Sequence, residues 1–193
     1  MISSMASIEW VYEMRRRHLI AALTGLLAPQ ARAEPDKPRG APDVIYVPTP
    51  QPAVDAMLAL AEVGPQDMLY DLGSGDGRIP ITAALRHGAR ALGVEINPRL
   101  VREARAAARA AGVTDRVRFR EADLFRMRFR EATVVTLYLL PDLNLRLKPR
   151  LLADLPPGAR IVSYSFDMGD WPPERTLRLP EGDLFLWRVP PKD

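Results

Sequence analysis

Three glycines at alternate positions, Gly73, Gly75 and Gly77, follow an acid in the run Tyr70-Asp71-Leu72-Gly73-Ser74-Gly75-Asp76-Gly77-Arg78. Each removes a Cβ where the chain must turn sharply or where a ligand lies against bare backbone. The Gly-x-Gly-x-Gly spacing is one residue tighter than the Gly-x-Gly-x-x-Gly of dinucleotide-binding turns. Two acids further along extend the pattern. Glu95 carries a carboxylate able to accept both hydroxyls of a ribose, and Asp123 could accept an adenine amino group beside the Leu124 backbone. Each has a plainer reading: Glu95 as a solvated strand end, Asp123 as a turn residue, Asp76 as a helix cap. A nicotinamide cofactor would also place an acid about 20 residues past the turn, so Glu95 alone does not discriminate. The glycine spacing and the second acid argue against that cofactor.

These residues need elements to carry them. Met68–Leu72 is apolar and predicts a first strand ending at Asp71; Arg78–His87 predicts the helix after it, with Pro80 tolerated in the first turn. Ahead of them, Val54–Val63 has helical spacing and stops at Gly64-Pro65. Ala91–Glu95 reads as a second strand, and Asn97-Pro98 caps an alanine-rich helix running to Gly112. Val117–Arg120 is a third strand leading to Asp123, and the continuous apolar run Ala132–Leu139 suits a fourth, buried on both faces. A helix over about 144–155, a strand over 160–166, and a hairpin of Thr176–Leu179 and Leu184–Val189 around Pro180-Glu-Gly-Asp183 complete the chain. The expectation is a Rossmann-like α/β domain over residues 53–193, with a mostly parallel seven-stranded sheet and a C-terminal antiparallel hairpin. In such a sheet, ligands lie at the carboxyl ends of the strands where strand order reverses, which would bring Asp71, Glu95 and Asp123 together.

Composition excludes several alternatives. The chain has 193 residues, no cysteine and two histidines, His18 and His87. Disulfides and thiol catalysis are therefore out, and no metal site is expected. The net charge is +3. Four arginines against two glutamates in residues 1–33 account for +2 of it, leaving +1 for the rest. Nucleic acid is not expected as a partner on that balance.

The N-terminus reads separately. Arg15-Arg16-Arg17, the apolar run Leu19–Leu27 and Ala31-Arg32-Ala33 describe a signal-like segment over 1–33, close to a twin-arginine pattern, with Met14 a candidate start. Export and membrane attachment through this segment stand beside a cytoplasmic protein with an N-terminal helix. Residues 34–52, with six prolines, read as a linker.

The turn Asp71–Gly77 resembles motif I of class I S-adenosylmethionine (SAM) dependent methyltransferases, whose sheet has seven strands. A closer resemblance rests on Tyr46-Val-Pro-Thr-Pro50, Gly93-Val-Glu-Ile-Asn97, Thr136-Leu-Tyr-Leu-Leu-Pro141 and Met168-Gly-Asp-Trp-Pro-Pro173. Together with the turn, these segments are similar to bacterial relatives of the mitochondrial lysine methyltransferases that act on ATP synthase subunit c and the adenine nucleotide translocase. The resemblance covers about residues 43–190. It implies SAM as cofactor, with Asp71, Gly73, Ser74, Gly75, Gly77, Glu95, Asp123 and Leu124 as its contacts and Tyr46 as a lid. It implies a protein lysine as acceptor, a small amine being the alternative within the enzyme class and a non-catalytic SAM-binding module the alternative outside it. Tyr138, Asp170 and Trp171 are the candidates to line the acceptor pocket. Tyr164 and Ser165 depart from the family's His and Asp.

Overall fold

The computed structural model describes residues 46–192; the signal-like segment and most of the linker lie outside the described residues. Helix α1, Gln51–Leu60, begins three residues earlier than expected, because Pro52 falls in the first turn, where no intrahelical N–H bond is lost. Strand β1 is Met68–Leu72 and helix α2 is Arg78–His87, closed by Gly88 in the left-handed region. Strand β2, Arg90–Glu95, precedes helix α3, Pro98–Ala110, whose N-cap Asn97 accepts from the Arg99 N–H at 3.0 Å. Strand β3 is Val117–Glu121 and is followed by one 3-10 turn, Leu124–Arg126. Strand β4 is Val134–Leu137 and helix α4 is Pro141–Asp154. That helix also starts three residues early, with Pro141 in its first turn. Strands β5, Arg160–Tyr164, β6, Arg175–Leu177, and β7, Leu184–Arg188, complete the domain.

The seven strands form one sheet in the order β3-β2-β1-β4-β5-β7-β6. The first five pair in parallel, and β7 runs antiparallel to both β5 and β6. A loop, not a crossover helix, joins β5 to β6, as the Gly169, Pro172 and Pro173 breakers require.

Alternation along the strands splits the core in two. Leu69, Val134 and Val162 face α1, α2 and α3, while Tyr70, Leu72, Val135 and Ile161 face α4 and the segment after β3. All four β4 residues are buried, the polar Thr136 among them, which explains the otherwise apolar run. β3 is an edge strand with alternate residues exposed. Strand order reverses between β1 and β4, and that switch point fixes where the site must open.

Candidate functional site

At the end of β1 the chain crosses to β2: the N–H groups of Gly73 and Ser74 both donate to the Val94 carbonyl, at 2.9 and 3.0 Å. Gly75 and Gly77 both lie in the left-handed region, but for different neighbours. A Cβ on Gly75 would fall 2.1 Å from the Tyr46 ring, so that position is bare because an aromatic lies on it. A Cβ on Gly77 would fall 2.4 Å from Phe119 and 2.9 Å from Ala104, so that glycine lets α2 pack against β3 and α3.

Glu95, at the end of β2, is buried and accepts from two backbone donors: Gly75 N–H at 3.0 Å and Asn97 N–H at 2.8 Å. Both oxygens are thereby fixed in place, each with a lone pair left for a ligand. Asp123 accepts from the Phe125 N–H at 2.9 Å and caps the 3-10 turn, so its turn role and its place in the cleft coexist. Asp71 is buried and accepts from the Thr136 hydroxyl at 2.8 Å. Burial, aided by the charge of Glu95 and against the Thr136 bond, pushes its carboxyl up to about 7. The buried Ser74 hydroxyl has no hydrogen-bond partner.

Arg78 ties the turn to the chain before α1. Its guanidinium pairs with Asp76 at 2.6 Å and donates to the Thr49 carbonyl at 2.7 Å. Burial works against ionised Asp76, but the bonds and charge of Arg78 outweigh it and hold the carboxyl below its usual range. Asp76 also accepts from the Arg78 N–H at 3.2 Å, but the N-cap of this helix is Gly77, with no side-chain cap bond, so Asp76 is not the helix cap. Burial and the nearby Asp76 charge raise the Tyr46 phenol.

These groups surround a cleft of about 350 Å³ at the carboxyl ends of β1, β2 and β4. Its walls include Tyr46, Asp71, Gly73, Ser74, Glu95, Asp123, Leu124 and Tyr138. Gly75 and Gly77 shape the turn beneath it. Tyr138 stands where β4 ends, 4.8 Å from the Tyr164 ring and 6.4 Å from the nearly parallel Phe166 ring. Tyr164 is pinned by donating to the Glu181 carbonyl at 2.9 Å.

Asp170 and Trp171 are placed elsewhere. Asp170 is exposed and pairs with Lys148, while Trp171 packs 6.0 Å from Trp187 and accepts the Trp187 indole N–H at 2.8 Å. Neither lines this cleft, and Trp171, half-buried, packs against the core layer that α4 covers. Thr136 and Arg78 were missed. Thr136 had a signal, since it is a polar residue in an apolar strand and pairs in register with Asp71.

The cleft suits an adenosine cofactor with a polar tail. It offers a buried carboxylate held by two backbone N–H groups in Glu95, a second acid in Asp123, an unpartnered buried hydroxyl in Ser74 and a turn stripped of side chains. With the 3-2-1-4-5-7-6 sheet, these features define a class I SAM-dependent methyltransferase. More narrowly, residues 71–175 match the ANTKMT methyltransferase domain, and the chain belongs to that family. It is 44% identical to a protein-lysine N-methyltransferase of Saccharolobus islandicus, over 74% of this chain and 89% of that one. It is 40% identical to the mouse adenine nucleotide translocase lysine N-methyltransferase, over 75% of this chain but 62% of that protein. The crystal structure of an RNA methyltransferase from Salinibacter ruber in complex with S-adenosyl-L-homocysteine is 55% identical, with a TM-score of 0.75, over 76% of this chain and 96% of that one. A SAM-dependent methyltransferase from Geobacter sulfurreducens, also with S-adenosyl-L-homocysteine, is 26% identical at a TM-score of 0.54. The cofactor of this chain is SAM.

Proposed function

We propose that the chain transfers methyl groups from SAM to protein lysine side chains. The observation that carries this reading is the match at 44% identity along 89% of an archaeal protein-lysine N-methyltransferase. The shape of the cleft agrees with it. On the donor side, Glu95 takes the ribose hydroxyls, Asp123 and the Leu124 backbone take the adenine, and Asp71 and Ser74 meet the polar tail over the Gly73–Gly77 turn. Tyr46, lying on Gly75, covers that end. On the other side, Tyr138 offers an aromatic face to an incoming amine.

Bound SAM supplies a methyl group on a positively charged sulfur. The protein's share is alignment: holding an amine nitrogen in line with that methyl is worth roughly 7–11 kcal/mol of barrier through effective molarity. The nitrogen must arrive neutral. Lysine loses its proton more readily where apolar walls disfavour the charged form, and Tyr138, Leu139 and Leu143 give the cleft such walls. With SAM held by Glu95, Asp123 and the glycine turn, the neutral nitrogen would take the methyl group as the S–C bond gives way to the new N–C bond, and the extra proton on nitrogen would leave to solvent.

Labelled SAM offered together with a bacterial membrane-protein extract, total RNA and a mixture of small amines tests the reading. Label on protein, mapped to lysine by peptide mass spectrometry, is the expected result. Label confined to RNA or to small amines would overturn it.

A further inference from the structure

A second concavity, of about 620 Å³, adjoins the cofactor cleft and shares Ala122 and Asp123 with it. Four arginines line it: Arg120 from the edge strand β3, and Arg126, Arg128 and Arg130 from the segment that follows. That segment alternates strictly. Met127 and Phe129 turn into the core, while the three arginines between and beside them are exposed. The row is stiffened from behind. Arg146 of α4 stacks 3.7 Å from the Phe125 ring centroid, and Arg150 donates to the Met127 carbonyl.

Two acids, Asp123 and Glu131, share the wall with the four arginines and leave it with an excess of positive charge. Arg126 has Asp123 at 3.5 Å and Arg128 has Asp154 at 3.2 Å, but Arg120 and Arg130 form no salt bridge among the described residues. The overall charge of +3 hides the feature, because the arginines are gathered on one wall. Guanidinium groups present a planar fork that suits carboxylates and phosphates alike. Two observations favour carboxylates on an extended peptide. Tyr46, the one exposed aromatic among the described residues, lies in the other cleft, and Tyr70, the ring in this wall, is buried, so no exposed ring face offers a stacking platform for bases. The site is also a concavity with no exposed large apolar side chain in its wall, which suits a peptide better than a bilayer surface.

We propose that this arginine cleft holds an acidic, extended segment of the methyl-acceptor protein, delivering its target lysine to the neighbouring mouth by Tyr138. The proposal rests on the lysine reading for the identity of the acceptor, though binding of the acidic segment can be measured without it. The test uses the full chain and a variant with Arg120→Gln, Arg128→Gln and Arg130→Gln, leaving Arg126 beside Asp123 untouched. SAM affinity and melting temperature serve as controls for folding. Fluorescence anisotropy would follow a lysine-free peptide carrying alternate glutamates and its glutamine counterpart. The glutamate peptide should bind at least about tenfold better than the glutamine one, lose that advantage in the variant, and weaken with salt. A lysine added beside the glutamates should be methylated with a lower KM and an unchanged kcat relative to the glutamine peptide. Equal binding of both peptides, or full binding by the variant, would overturn the proposal. So would an RNA oligonucleotide or a phosphatidylserine vesicle that displaces the peptide and is itself lost in the variant. If the acidic peptide binds as expected and no lysine is methylated, the lysine reading fails and the cleft assignment stands.

Discussion

The two ends of the cleft are built from different materials. On the donor side the contacts are backbone: Gly73 and Ser74 hang from Val94, and Glu95 is held by the N–H groups of Gly75 and Asn97. On the side proposed for the acceptor they are side-chain packing: Tyr138 against Tyr164 and Phe166, with Tyr164 held in turn by the turn between β6 and β7. A backbone cradle fixes one ligand and tolerates little change. An aromatic wall can be re-cut by substitution without disturbing the sheet. One framework can therefore keep its methyl donor while its acceptor varies.

That contrast can be broken most directly at Gly75. Gly75→Arg adds a Cβ where Tyr46 already lies and demands a left-handed backbone, so SAM binding measured by calorimetry should fall by more than about 100-fold. Retained affinity would mean that the turn is not the donor cradle. Tyr138→Ala should do the opposite, lowering kcat by about tenfold or more while SAM affinity stays within about twofold. A parallel loss of SAM affinity would erase the distinction between the two ends. Glu95→Gln preserves shape but loses the charge-assisted ribose contact, and should weaken SAM by about tenfold.

A prediction read on stability and not on turnover is a pH dependence at Asp71. Its folded pKa is raised to about 7, above the ordinary carboxylate value, so the folded state binds the extra proton between about pH 4 and 7. Its contribution to stability is accordingly lost as pH rises through that window and levels off above it. Asp71→Asn should be more stable than the parent at pH 8, with the gain vanishing near pH 4. Thermal melts across that range check the sign; an advantage that grows toward low pH would contradict it.

The meeting of the glycine turn, Glu95 and Asp123 at one cleft was legible in the sequence because backbone chemistry restricts residue type. A turn that must cross strands and meet a ligand calls for glycines, and acids at strand ends converge once the strands are parallel. Strands buried on both faces, punctuated by Gly and Pro, made the sheet readable for the same reason. The acceptor end was less so. Asp170 and Trp171 lie close in sequence to β5, yet their positions depend on how β7 and α4 pack, through Trp187 and Lys148. Tyr138 was found because it ends a strand, whereas Tyr164 and Phe166 gain their place only through tertiary contact. The helix starts at Gln51 and Pro141 were set late because prolines in a first turn read as breakers before the fold is known.

Arg78 bears on turnover. It grips Asp76 of the glycine turn and the Thr49 carbonyl of the strap that carries Tyr46, so floor and cover of the donor end share one clasp. A clasp that joins floor to cover bears on how quickly a bound ligand leaves that end. Arg78→Ala should then shorten the residence time of S-adenosylhomocysteine in stopped-flow measurements more than it weakens equilibrium capture of SAM.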